Sequence, residues 1–167
     1  DEFVVTNTHE VEKTSVKVTK VWNDNENQDG IRPKEISVSL MNGATVVATQ
    51  TLSEANDWTY TFTNLDKNAN GEEINYTVVE NSTLTGYETA ITGDRTTGFT
   101  ITNTHKVEKT SVSVEKIWND ENNQDGIRPE SVSVSLLANG KVKETVELNI
   151  TNSWKYTFAN LDKKANG

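Results

Sequence analysis

The sequence has 167 residues, which is enough for one or two small domains. Only 33% of the residues are apolar and the net charge is −9, which argues against nucleic acid or an anionic membrane surface as a partner, because both require basic patches. No apolar run approaches the length of a membrane span, and no signal peptide opens the sequence, so any targeting segment is expected to lie outside it. The sequence contains no cysteine. A small extracellular core would therefore need a covalent crosslink other than a disulfide.

The predicted elements return with a period of 96 residues. FVVTNTH at 3–9 recurs as FTITNTH at 99–105, TSVKVTKVWNDNENQDGIRP at 14–33 recurs as TSVSVEKIWNDENNQDGIRP at 110–129, and WTYTFTNLDKNANG at 58–71 recurs as WKYTFANLDKKANG at 154–167. We therefore expect the last strand of a preceding repeat at 1–9, a linker at 10–13, a complete repeat at 14–105, a linker at 106–109, and an incomplete repeat lacking its last strands at 110–167.

Short segments of alternating apolar and polar residues fill the complete repeat, and none shows a long helical period. Strands are predicted within residues 15–22, 36–40, 58–62, 74–80 and 99–103. Because Asn, Asp and Gly punctuate these strands, the pattern predicts an all-β, Greek-key β-sandwich arranged in tandem repeats.

Three polar residues fall on the apolar faces of their strands. Lys20 follows Val16 and Val18, Glu80 follows Tyr76 and Val78, and Asn103 follows Phe99 and Ile101. Since successive side chains alternate between the faces of a sheet, all three are expected to point into the core. Unpaired, they would cost several kcal/mol, so they must satisfy one another or react.

A reaction between these groups is chemically reasonable. Burial lowers the pKa of a lysine toward the neutral, nucleophilic amine and favours a protonated glutamic acid. Such an acid can polarise the Asn103 carbonyl and relay protons while ammonia leaves, which would join Lys20 to Asn103 by an amide. The closed loop would stabilise the fold by roughly 4–5 kcal/mol, by analogy with a disulfide.

The same residues carry a resemblance to a known family. VTKVWNDNENQDGIRP at 18–33, WTYTFTNLDKNANG at 58–71, INYTVVE at 74–80 and FTITNTH at 99–105 resemble the Cna B-type (CnaB) domains of Gram-positive cell-wall-anchored adhesins and pilins. The resemblance implies an immunoglobulin-like or transthyretin-like sandwich and an extracellular stalk. It also implies an autocatalytic isopeptide bond between Lys20 and Asn103, assisted by Glu80.

Two residues match the crosslinking positions without a full set of partners. Lys116 corresponds to Lys20, but no equivalent of Glu80 or Asn103 follows it, and Asn7 corresponds to Asn103 without a preceding lysine. Asn7 could complement an incomplete repeat of another chain. Without the glutamate strand we expect little or no bond at Lys116.

Simpler interpretations remain open at this stage. Lys20 could extend its head to the edge of the sandwich or form an ion pair with Glu80. The aromatic residues could line a carbohydrate site, although core packing suits their positions better. Two Asn/Asp-rich segments beginning at Asn25 and Asp66 resemble the start of a calcium loop, but the twelfth positions, Ile36 and Thr77, are not the glutamate that such a loop needs.

The sequence therefore predicts a mechanical spacer of a surface adhesin rather than an enzyme, since the only chemistry indicated consumes its own residues once. The expected partners are neighbouring repeats, with host extracellular matrix bound through other domains. No cofactor or metal is expected, and no nucleic-acid or membrane partner. The alternatives are a module that binds host matrix directly and a spacer stiffened by calcium.

Overall fold

The computed structural model describes residues 1–167, which divide into two compact units. The first unit comprises Asp1–Val107 with Asn166–Gly167, and the second comprises Glu108–Ala165. Both are built from strands, and their only helices are single 3₁₀ turns at Glu54–Asn56 and Ile150–Asn152. No helix is long and apolar enough to span a membrane.

The first unit is an all-β sandwich, as the alternating pattern predicts. Its nine strands are β1 (Lys13–Asn23), β2 (Glu35–Asn42), β3 (Thr45–Ser53), β4 (Thr59–Asp66), β5 (Asn68–Ala69), β6 (Glu72–Glu73), β7 (Tyr76–Glu80), β8 (Glu88–Asp94) and β9 (Gly98–Thr104).

The strands of the first unit form two main sheets. One sheet has the order β4-β1-β9-β8 and the other has the order β3-β2-β7, while β5 and β6 form a separate two-stranded ribbon. The first strand β1 and the last strand β9 are parallel neighbours, and all other pairs are antiparallel. The two ends of the repeat therefore lie side by side in one sheet.

The core lies between the inner faces of these two sheets. It is formed by alternate residues of the strands, which are Val16, Val18, Ile36, Val38, Leu40, Leu52, Phe62, Leu65, Tyr76, Val78, Phe99 and Ile101. Each fully buried aliphatic or aromatic side chain contributes about 1.5–3 kcal/mol. Tyr60 is an exception to the predicted alternation, since it lies on the edge strand β4 and is 38% exposed.

The second unit repeats the early part of this architecture. Its strands are β10 (Lys109–Glu115), β11 (Ser131–Ala138), β12 (Lys141–Asn149) and β13 (Lys155–Asp162). They pair as β10-β13 and β11-β12, with the same register irregularities as β1-β4 and β2-β3. Phe158 and Leu148 are buried in this unit.

The segments that precede the first strand of each unit are short. Residues 1–12 form no strand and are exposed throughout, so a strand at 1–9 that belongs to another repeat stays a prediction. β1 begins at Lys13 and β10 at Lys109, within the predicted linkers.

Candidate functional site

The candidate site lies inside the first unit, where β1, β9 and β8 of one sheet face β7 of the other. Lys20 on β1 is 4% exposed and Asn103 on β9 is fully buried. Glu80 ends β7 and is partly buried. The alternation of β1 and β9 places Lys20 and Asn103 on the inner face, because each follows valine or isoleucine residues of the core two positions apart.

The register between β1 and β9 sets the relation of the two residues. Lys20 lies opposite Ile101, and Asn103 lies opposite Trp22. Lys20 and Asn103 are therefore diagonal neighbours on parallel strands, with Cα atoms about 8 Å apart from the usual strand rise and spacing. A lysine side chain is long enough to span this gap.

Asn103 takes part in a closed triangle of hydrogen bonds. Its Nδ2 donates to Glu80 Oε2 at 3.2 Å and to Thr89 Oγ1 at 2.8 Å, while Thr89 Oγ1 donates to Glu80 Oε2 at 3.2 Å. Thr89 lies on β8 directly opposite Asn103. The triangle fixes the carboxamide with its nitrogen toward Glu80 and Thr89. The expectation that Glu80 polarises the Asn103 carbonyl is therefore wrong for this structure, because the carbonyl oxygen has no hydrogen-bond partner.

Two oxygens at this place have no hydrogen-bond partner. They are Oδ1 of Asn103 and Oε1 of Glu80, and both are buried. A buried acceptor without a partner costs about 1–3 kcal/mol. A reaction that supplies a hydrogen-bond donor to either oxygen would therefore stabilise the core.

The Lys20 ammonium lies in an apolar and aromatic setting. Its Nζ donates to the backbone oxygen of Val21 at 2.8 Å and lies 3.6 Å from the centroid of the Trp22 ring. It forms no ion pair with Glu80 within 4.0 Å and does not extend to solvent, so neither simpler interpretation of Lys20 describes this structure. Burial lowers the pKa of Lys20 to about 8, although the negative charges of Glu80 and Asp24 act to raise it. Burial therefore favours the neutral amine, which is the nucleophilic form of the side chain.

The corresponding lysine of the second unit has similar local contacts. Lys116 Nζ donates to the Ile117 backbone oxygen at 2.7 Å and lies 3.8 Å from the centroid of the Trp118 ring. Lys116 is only partly buried. β10 pairs with β13 alone, so no strand equivalent to β9, which carries Asn103, lies beside it. Asn7 is exposed in a segment without a strand. The structure therefore brings Lys20, Glu80 and Asn103 into one core, but does not do so for Lys116 and Asn7.

A second polar cluster closes the same end of the sandwich, and the sequence did not reveal it. Asp24 is buried and receives a fork of hydrogen bonds from Arg32, with Nε–Oδ2 at 2.9 Å and a terminal nitrogen–Oδ1 distance of 2.5 Å. The Tyr87 hydroxyl donates to Oδ2 at 2.8 Å and the Asn27 backbone nitrogen to Oδ1 at 3.0 Å. Burial acts to raise the pKa of Asp24, but these hydrogen bonds outweigh it and lower the pKa to about 2.

His105 connects the end of β9 to the same loop. Its Nε2 lies 2.8 Å from Asp29 Oδ2 and its Nδ1 lies 2.7 Å from the Gly86 backbone oxygen. The hydrogen bond to Asp29 and that to Gly86 raise the pKa of His105. Asn27 Oδ1 accepts from the Arg32 backbone nitrogen at 2.9 Å. Asn27 and Asp29 of the calcium-like segment thus have protein partners, as turn residues do.

The aromatic residues pack on one another and on the core. Trp22 meets Trp58 and Tyr87 edge to face, with ring centroids 5.2 Å and 5.3 Å apart. Trp22 and Trp58 both pack against the buried cluster. This arrangement is typical of a structural core rather than an exposed carbohydrate platform.

Comparisons with known proteins agree with this architecture. A family model described as the Cna protein B-type domain matches residues 16–104 and 112–167. The chain is 44% identical over 164 residues to a collagen adhesin of Staphylococcus aureus, covering 98% of this chain and 14% of that protein. The chain thus spans a small part of the length of this relative.

Solved structures give the same result. The crystal structure of two B repeat units (B1B2) of the collagen binding protein (CNA) of Staphylococcus aureus superposes with a TM-score of 0.84 at 44% identity, covering 92% of this chain and 42% of that one. The structure of a single B repeat unit (B1) of the same protein gives a TM-score of 0.51 at 41% identity, covering 93% and 81%. The resemblance inferred from the sequence motifs is confirmed, and so is the sandwich fold.

Proposed function

Because the chain belongs to the Cna protein B-type domain family, we propose that it is part of the stalk of an adhesin anchored in the wall of a Gram-positive bacterium. In this proposal, its complete repeat is a mechanical spacer stabilised by an isopeptide bond between Lys20 and Asn103. The observation that supports the bond most strongly is the fully buried Asn103 carboxamide, which is hydrogen-bonded to Glu80 and diagonal to a buried lysine. The relation to repeats of a collagen adhesin supports the location and the spacer role.

The proposed reaction balances within the site. The neutral Nζ of Lys20 attacks Cγ of Asn103, and the new C–N bond forms as Nζ gives up a proton to Glu80. Glu80 returns a proton to the former Nδ2, the old C–N bond breaks, and ammonia leaves. The product is a neutral secondary amide, so the buried ammonium disappears, and the amide N–H becomes a donor close to Glu80, whose Oε1 lacks one.

The topology explains why such a bond would carry load. Force applied along the chain enters at the start of β1 and leaves at the end of β9, and these parallel neighbours would be sheared past each other. A bond from Lys20 to Asn103 passes the force directly from one strand to the other. Residues 21–102 then carry no tension, and the sandwich keeps its fold under pulling.

The bond is tested by the intact mass of the purified chain. We expect the loss of one ammonia, and a branched peptide that joins the fragments containing Lys20 and Asn103. Glu80→Ala should keep the full mass, and Lys116→Met should still lose one ammonia, because Lys116 has no reaction partner. A wild-type chain with its full mass would contradict the crosslink.

The spacer role is tested separately from the bond. Deleting repeats from the full adhesin while keeping its terminal domain should shorten its reach without changing the affinity of that domain. If deletion instead weakens binding of purified matrix proteins in proportion to the repeats removed, the repeats are binding modules and the spacer proposal is wrong.

A further inference from the structure

A third side chain touches the atoms that would react. Thr89 Oγ1 lies 2.8 Å from Asn103 Nδ2, which is closer than the 3.2 Å between Nδ2 and Glu80 Oε2. The same hydroxyl lies 3.2 Å from Glu80 Oε2. It therefore contacts both the carboxyl group and the nitrogen that leaves as ammonia, beside the direct hydrogen bond between them.

The pairing of β8 with β9 places Thr89 beside Asn103. Thr89 and Asn103 are directly opposite on the antiparallel strands β8 and β9, so their side chains project from the same face. Asn103 is fully buried, whereas Thr89 lies on an edge strand and is exposed. The hydroxyl thus meets the leaving nitrogen on the side from which ammonia can reach solvent.

On these contacts, and resting on the crosslinking function proposed above, we infer that Thr89 is a catalytic residue that relays a proton from Glu80 to the departing nitrogen of Asn103. In the unreacted site the hydroxyl donates to the carboxylate and accepts from the carboxamide. After Nζ has protonated Glu80, the carboxylic acid donates to Thr89 Oγ1. The hydroxyl rotates and gives its own proton to Nδ2, which has gained a lone pair in the tetrahedral intermediate.

The relay leaves every group except the reacting pair unchanged. One proton moves from Nζ to Glu80, one from Glu80 to Thr89, and one from Thr89 to the nitrogen that departs as ammonia. Thr89 and Glu80 finish in their starting protonation states. A single hydroxyl is sufficient, and no external acid is needed inside the core.

The test follows the rate of crosslinking in chains that have just folded. Wild type, Thr89→Val, Thr89→Ser and Thr92→Val are made by cell-free synthesis, stopped at intervals in acid, and the linked fraction is read from the intact mass. Thr92 lies on the same strand and faces away from Asn103, so it is the matched control. We expect Thr89→Val to slow the reaction about 100-fold, the lower range for a lost general acid. Thr89→Ser should restore most of the rate and Thr92→Val should leave it unchanged.

The pH dependence separates a proton relay from mere packing. The wild-type rate should rise with pH as Lys20 loses its proton, and Thr89→Val should show the same rise at a lower rate, because the burial of Lys20 is unaltered. If the rate of Thr89→Val instead rises only in the pH range of an exposed lysine, the substitution has opened the core around Lys20. The slower reaction would then come from the changed lysine and not from a lost proton transfer, which would contradict the relay. Crosslinking of Thr89→Val at the wild-type rate would overturn the role of Thr89 alone. A wild-type chain that never links would overturn the proposed function itself.

Discussion

Replacing Lys20 by methionine would measure what the proposed bond contributes to stability. Methionine has a similar length and no charge, so it fills the space beside Trp22 while leaving the hydrogen bonds between Asn103, Thr89 and Glu80 in place. It removes the only nucleophile of the crosslink. Any loss of stability then reports the loop from position 20 to position 103.

The magnitude follows from the length of that loop. The chain-entropy relation for a crosslink of this span gives about 4.5 kcal/mol at 25 °C. For a domain of this size each kcal/mol moves the melting temperature by about 4–8 °C, so we expect a decrease of about 20 °C or more. If no bond forms, Lys20→Met should instead raise the melting temperature. The substitution would then only remove a buried ammonium, whose unfavourable burial is seen in the lowered pKa of Lys20.

The assay is calorimetry of the full chain, with guanidinium unfolding as a second measurement. Lys116→Met is the matched control, because Lys116 has the same contacts with its own tryptophan in the second unit. That control should melt within a few degrees of wild type. A Lys20→Met chain whose first unit is as stable as wild type would refute the reasoning.

Three further predictions concern the loop at the end of the sandwich. Asp24→Asn should destabilise the first unit by about 3 kcal/mol in guanidinium unfolding, because Arg32 loses its buried partner, whereas Asp120→Asn in the more exposed equivalent should have a smaller effect. The raised pKa of His105 means that its pairing with Asp29 contributes fully below the unfolded value of about 6.5 and is lost as pH rises through the folded value. Unfolding midpoints should therefore fall over that range in wild type and not in His105→Gln, and equal slopes for the two proteins would contradict this origin. Addition of a calcium chelator should leave the melting temperature unchanged, and a decrease would favour the calcium-stiffened alternative.

The inward faces of the strands could be predicted from sequence because alternation in a sheet follows from backbone geometry. Val16, Val18 and Lys20 on β1, and Ile101 and Asn103 on β9, are all buried as the pattern indicates. Tyr60 departs from it because β4 is an edge strand with solvent on one side. Periodicity identifies a face, but it does not show whether a neighbouring strand covers that face.

Other parts of the site could not be read from the sequence. The sequence pattern does not predict strand β8, because all seven of its residues are exposed and only Ile91 is a large apolar residue. Thr89 therefore does not appear among the predicted site residues. The alternation of Thr89 with Ile91, opposite Asn103 and Ile101, is the signal that could have revealed it.

The contacts of Asp24 depend on residues far along the chain. Tyr87 is 63 positions away, and the pairing of His105 with Asp29 spans 76 positions. Such contacts depend on how the loops are brought together, and a motif of consecutive residues does not contain that information. Only the local turn chemistry of the segment after Asp24 could be predicted from the sequence.

Single-molecule pulling from the two ends of the chain tests the central claim most directly. With Lys20 joined to Asn103, the first unit should add no extension from residues 21–102, whereas Lys20→Met should release about 280 Å when its sandwich opens. The second unit opens in both proteins and provides an internal reference. An extension of that size in the wild-type chain would contradict a covalent link between the first and last strands.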